Sequence, residues 1–138
     1  MQIFNVNIEG YWREKHKAGI PDHSGVYFVY EAMYDPEKDI IRLIRLIYIH
    51  SSENVKANVA VKENHESWMH YLNLGNELCY STGYVEGVNR TKVEAAYIFK
   101  HKPLANKEHI DSFPFDQTTI ISIGKTALLD TNFTVQRS

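Results

Sequence analysis

Two stretches, Gly25-Val26-Tyr27-Phe28-Val29-Tyr30-Glu31 and Ile40-Ile41-Arg42-Leu43-Ile44-Arg45-Leu46-Ile47-Tyr48-Ile49-His50, decide how this chain is read. Both are crowded with β-branched and aromatic side chains, the composition of strands. Tyr34-Asp35-Pro36-Glu37-Lys38-Asp39 between them is turn chemistry, which predicts an antiparallel pair. In the second stretch Arg42, Ile44, Leu46 and Tyr48 alternate with Leu43, Arg45, Ile47 and Ile49. Both rows are largely apolar, so a central strand covered on both faces is predicted.

Downstream the period changes. Val55, Val59, Lys62, Glu66 and Met69 recur three or four apart, as do Val61, His65, Trp68 and Leu72. That spacing predicts helix over about 53–73, with a break near Asn64. Gly75-Asn76 would end it, since both residues tolerate a left-handed backbone. Residues 77–86 read as a third strand and residues 92–101 as a second helix. Thr91-Lys92-Val93-Glu94 has the capping-box pattern at that helix's start. Residues 118–124 and Phe133-Thr134-Val135 predict a terminal hairpin, while the first twenty or so residues carry no clear period. The expected fold is therefore α/β. It has a small, mainly antiparallel central sheet of three strands flanked by helices, with a C-terminal β-hairpin extension. The chain is expected to be one domain over 1–138, with a core at about 22–110 and extensions on either side.

Composition narrows the classes. With 138 residues the chain can bury one core, and 43% hydrophobic residues exclude a disordered chain. The longest apolar run, Ile40 to Ile49, is interrupted by Arg42 and Arg45 and is too short for a bilayer, which needs about 20 residues. The first residues lack the basic and apolar regions of a secretory signal. A lone Cys79 excludes an internal disulfide. Cytoplasmic localisation without membrane association is expected. The net charge of −2 gives no overall footprint for nucleic acid. Lys56, Arg90 and Lys102 nevertheless fall near the motifs described next. They read either as a solvated face or as a nucleic-acid-binding patch.

Gly25-Val26-Tyr27, Tyr48-Ile49-His50, Ser51-Ser52-Glu53-Asn54-Val55, Lys92-Val93-Glu94-Ala95-Ala96 and Lys102-Pro103-Leu104-Ala105-Asn106, in that order, resemble the GIY-YIG nuclease family. The resemblance covers roughly Gly25 to Asn106. It implies metal-dependent hydrolysis of a DNA phosphodiester, with RNA as another possible substrate. A single Mg²⁺ or Mn²⁺ would sit on Glu94. Tyr27 and Tyr48 would handle water and phosphate, and Asn106 would complete the site. Each residue also has a plainer reading. The tyrosines could be strand aromatics with wet hydroxyls, and Glu94 could be the N3 residue of a capping box.

The chain departs from the family at three places. Asn58 stands where the family has arginine, and a neutral amide cannot make a bidentate, charge-assisted contact with phosphate. Lys62 stands where the family has tyrosine or histidine. It reads either as a replacement cation or as an exposed helix lysine. His50 replaces the last glycine of the second motif. The alternative is thus a decayed GIY-YIG fold that binds nucleic acid or a protein, with a protein partner or a homodimer possible. A third reading treats the matches as coincidence in an ordinary α/β domain.

Other patterns fail on spacing. The second histidine of His65-Glu66-Ser67-Trp68-Met69-His70 comes one residue late for a zinc helix, and Thr119 replaces the first glycine of a phosphate loop ending at Gly124-Lys125-Thr126.

Overall fold

β2 (Gly25–Asp35) is the most deeply placed strand, with every residue from Gly25 to Ala32 buried. The computed structural model describes residues 2–138 and arranges the chain around this strand. β3 (Ile40–Ser52) pairs antiparallel on one side of β2, and β4 (Glu77–Tyr84) pairs antiparallel on the other. Gly25 is required by that second pairing. A Cβ there would stand 2.0 Å from the carbonyl oxygen of Gly83 on β4, which no side chain tolerates.

The sheet does not stop at three strands. β1 (Gln2–Arg13) pairs antiparallel with β4 and parallel with β5 (Thr118–Gly124), and β5 carries β6 (Asn132–Val135) antiparallel. The order is β3-β2-β4-β1-β5-β6. This corrects the expected three-stranded sheet flanked by helices. The molecule is a six-stranded mixed sheet curled into a half-barrel, 40% strand and 25% helix. The physical reason lies in β1. Its inward residues Val6 and Ile8 are buried while Gln2, Ile3, Asn5, Asn7 and Glu9 are exposed, so one row alone is covered and the apolar signal is thin. The C-terminal pair is not an appendage either, because β5 bonds to β1 along its whole length.

The two faces of the sheet are covered by different helices. On one face Val26, Phe28 and Tyr30 pack with Val93, Ala96 and Tyr97 of α3 (Arg90–His101). On the other, Tyr27, Val29, Ile47 and Tyr80 pack with Val55 and Val59 of α1 (Val55–Val59) and Trp68 of α2 (Lys62–Met69). Alternation along β2 thus feeds both cores. The predicted helix over 53–73 is two short helices separated at Ala60 and Val61. β3 is covered on both faces, by Ile49 on one side and Ile47 on the other, but it lies at the sheet edge and not at its centre. Its outer edge is closed in part by a loop: Ala105 N–H donates to the Ile47 carbonyl at 2.8 Å.

Candidate functional site at the β3 edge

The apolar alternation of β3 ends in Tyr48, His50 and Ser51, so aromatic and polar side chains gather where the edge strand runs out. Val55 N–H donates to His23 O at 3.0 Å, and the Asn54 side chain accepts from Ala57 N–H at 3.0 Å, capping α1. α1 is thereby fixed across the end of the hairpin. α3 starts at Arg90 beside the same end and stops at Lys102, which adopts a left-handed backbone just before Pro103. The chain then turns back along β3. Asn106 spends both amide atoms there: Oδ1 accepts from Ile49 N–H at 3.0 Å and Nδ2 donates to Ile49 O at 2.9 Å. The side chain imitates a neighbouring strand.

These elements leave a cleft of about 300 Å³ lined in part by Tyr48, His50, Glu94, Asn106, Lys107 and Glu108. Glu94 comes from the α3 face and His50 from the face of Tyr27 and Tyr48, and they meet around the edge strand. Glu94 Oε1 accepts from Ser51 N–H at 2.6 Å and from Ser51 Oγ at 2.7 Å, and lies 3.1 Å from His50 Nδ1. The capping-box reading of Glu94 is therefore corrected. The residue before α3 is Asn89, which caps nothing with its side chain, and Glu94 turns to β3 instead. Burial alone would raise the Glu94 carboxyl. The hydrogen bonds from His50 and Ser51 outweigh it and hold the group below the usual carboxylate range.

Tyr27 is fully buried and its hydroxyl donates to Asn58 Oδ1 at 2.6 Å. Its ring meets Trp68 and His50 edge-on, at centroid distances of 5.9 and 6.0 Å. Tyr48 is half-buried and tilts against His50 and Trp68. Burial raises both phenols, with Glu94 adding to the shift at each and Glu108 at Tyr48. Neither tyrosine is prepared to act as a base at neutral pH.

Tyr48, Glu94 and Asn106 line the cleft, whereas Tyr27 and the Asn58 it bonds reach it only through the ring contact of Tyr27 with His50. The predicted cations do not line it. Lys62 is 83% exposed and faces Glu66 on its own helix at 3.9 Å. Arg90 donates to Ser24 Oγ at 2.9 Å. Lys102 is held by the Ile110 carbonyl and lies 4.1 Å from the Phe99 ring centroid. Lys56 is exposed on α1. Sequence reasoning missed the part of His50, noted there only as the replacement of a glycine, and missed Ser51, Lys107 and Glu108. The available signal was Tyr48-Ile49-His50-Ser51, where polar groups alternate at the end of an apolar strand.

Among the described residues no helix is long and apolar enough to cross a membrane. Comparison with protein-family models, curated proteins and solved structures finds no match.

Proposed function

We propose that this chain is a GIY-YIG-like domain that has lost phosphodiester hydrolysis and is retained for binding. One observation carries the reading: the Tyr27 hydroxyl is spent on Asn58, the residue standing where the family has its arginine. The same contact buries the phenol and leaves no cation beside it. Lys62, the one candidate replacement, faces solvent and Glu66. Hydrolysis needs positive charge preorganised at the phosphate, and removal of one such group typically costs a factor of about 10²–10³.

The donor set argues against the implied metal as well. Three donors already converge on Glu94 Oε1, from Ser51 N–H, Ser51 Oγ and His50. Asn106 has no amide atom left over from Ile49. A hard cation takes mainly oxygen ligands, and the carboxylate oxygens left to it here are Glu94 Oε2 and those of Glu108. Among the described residues no group of three or more His, Cys, Asp or Glu side chains gathers to hold Mg²⁺ or Mn²⁺, and no reaction step is assigned to it.

DNA is the partner that the resemblance implies. Lys107 is an exposed cation in the cleft lining, and Lys56 is an exposed cation on α1. With Glu94 and Glu108 beside the cleft, and Arg90 and Lys102 engaged by neighbours, binding of duplex DNA would be weak and salt-sensitive. The test is fluorescence anisotropy of a labelled duplex at low salt with Mg²⁺, the same samples then being run on a denaturing gel. The reading expects an anisotropy rise that Lys56→Glu diminishes, with the duplex intact. A cleaved duplex would overturn the loss of hydrolysis. A flat anisotropy trace would remove DNA as the partner and turn the search to a protein.

A further inference from the structure

We propose that the cleft at the β3 edge captures an organic cation, the guanidinium group of an arginine side chain on a partner protein. Two carboxylates and an aromatic ring meet there, since Glu94 and Glu108 line the cleft together with Tyr48. Ser51 and His50 engage only Oε1 of Glu94, and Oε2 has no partner among the described residues. Those same bonds hold the Glu94 carboxyl below the usual carboxylate range, so it is charged at neutral pH. Glu108 is exposed and has no ion pair or hydrogen bond among the described residues. Both charges act on Tyr48, whose phenol is raised first by burial and then by Glu94 and Glu108. His50 lines the same cleft. With its Nδ1–H turned to Oε1 at 3.1 Å, its Nε2 is left as an acceptor.

The cleft therefore offers acceptors and negative charge beside a half-buried ring. A guanidinium is the side-chain group that matches all three. It is flat, always charged, carries five N–H donors in a fixed fork and stacks on aromatic faces. Ile98 and Ala105 add apolar wall for the methylene stem of such a side chain. A volume of about 300 Å³ stands at the low end for ligand sites, which suits one side chain better than a larger ligand. Lys107 also lines the cleft and opposes a cation, but the two carboxylates outnumber it. This occupancy does not depend on DNA binding, for which Lys56 on α1 is a separate group.

The test adds N-acetyl-arginine amide to the full chain, without DNA, and follows the NMR signals of the Tyr48 and His50 rings. N-acetyl-citrulline amide, which has nearly the same shape without the charge, is the control. The arginine probe should shift both rings saturably, with a Kd in the millimolar range usual for a ligand of this size. The citrulline probe should bind at least about fivefold more weakly. Glu108→Gln should weaken the arginine probe by about two- to fivefold, the range of one half-exposed charge pair, and Lys107→Gln should tighten it by a similar factor. Both substitutions fall on exposed side chains, so the fold should survive them. Absence of a shift at the two rings would overturn the proposal, as would equal binding of citrulline or no effect of Glu108→Gln. Weaker binding in Lys107→Gln would make the cleft an anion site instead. Free arginine, which adds a carboxylate, should bind no more tightly than the capped probe. Tighter binding would assign the cleft to a small molecule and overturn the partner protein.

Discussion

Glu31 is a carboxylate with no exposed surface in a strand otherwise lined by Val, Tyr, Phe and Ala. Its oxygens accept from Arg45 Nε at 2.6 Å, Asn73 N–H at 2.7 Å and Asn76 Nδ2 at 2.8 Å. Arg45 in turn donates to the Tyr71 carbonyl at 2.6 Å. The segment after α2 is thus tied to the sheet by one buried charge. Burial alone would raise this carboxyl, but the bonds from Asn73, Asn76 and Arg45 outweigh it, and the group titrates below its ordinary value of 4.5. A carboxyl lowered in the folded state stabilises fully above its unfolded value, and that contribution is lost as pH falls through the folded value. Glu31→Gln should cost about 3 kcal/mol in urea unfolding at neutral pH, since charge-assisted hydrogen bonds contribute about 1.5–3 kcal/mol each. The difference from the parent should shrink below about pH 4. A difference that stays constant down to acid pH would mean that Glu31 folds as a neutral acid. None of this was legible in the sequence. Glu31 ends a strand-like run, and its partners stand far along the chain.

At the scale of elements the hairpin, the third strand and α3 were legible because their side chains carry a period. The status of β3 was not. Its two apolar rows predict coverage of both faces, which the two cores provide, yet alternation says nothing about neighbours within the sheet. The edge is managed by the loop that ends at Asn106. That residue matched a family position in the sequence, and here its amide serves the backbone of Ile49. Asn106→Ala would leave an N–H and a carbonyl of β3 without their partner. We expect a stability loss of about 1 kcal/mol and hydrogen exchange at the Ile49 amide faster by about tenfold or less, because one side of the group opens to water. Unchanged exchange at Ile49 would show that the loop is not what protects this edge. Glu94 teaches the same lesson. Thr91-Lys92-Val93-Glu94 fits a capping box by spacing, but Ser51 and His50 on β3 compete for the carboxylate and win.

For the whole molecule, the decisive element is the one the sequence showed least. β1 lies between β4 and β5, and its Val6 and Ile8 belong to the same core as Phe28, Tyr97, Ile120 and Phe133. A fragment spanning about 22–110 would expose one side of β4 and strip that core of both termini. It should lack cooperative thermal unfolding and dispersed amide signals. A fragment that melts cooperatively near the parent's temperature would show that β1, β5 and β6 are additions after all. The edge position of β3 also sets the site, because α3 on one face and the Tyr27–Tyr48 cluster on the other meet around it, where Glu94 finds His50. The match to the family motifs named Tyr48, Glu94 and Asn106 on this cleft but not His50, Lys107 or Glu108, and it did not reveal that Tyr27 would be tied to Asn58 and Glu94 to Ser51 and His50. Those are contacts between segments far apart in sequence, and they decide the chemistry. The most direct test is nicking of supercoiled plasmid by high concentrations of the full chain with Mn²⁺, beside Glu94→Ala. A domain silenced in this way leaves the plasmid supercoiled in both samples. Nicking by the parent that Glu94→Ala abolishes would contradict the account.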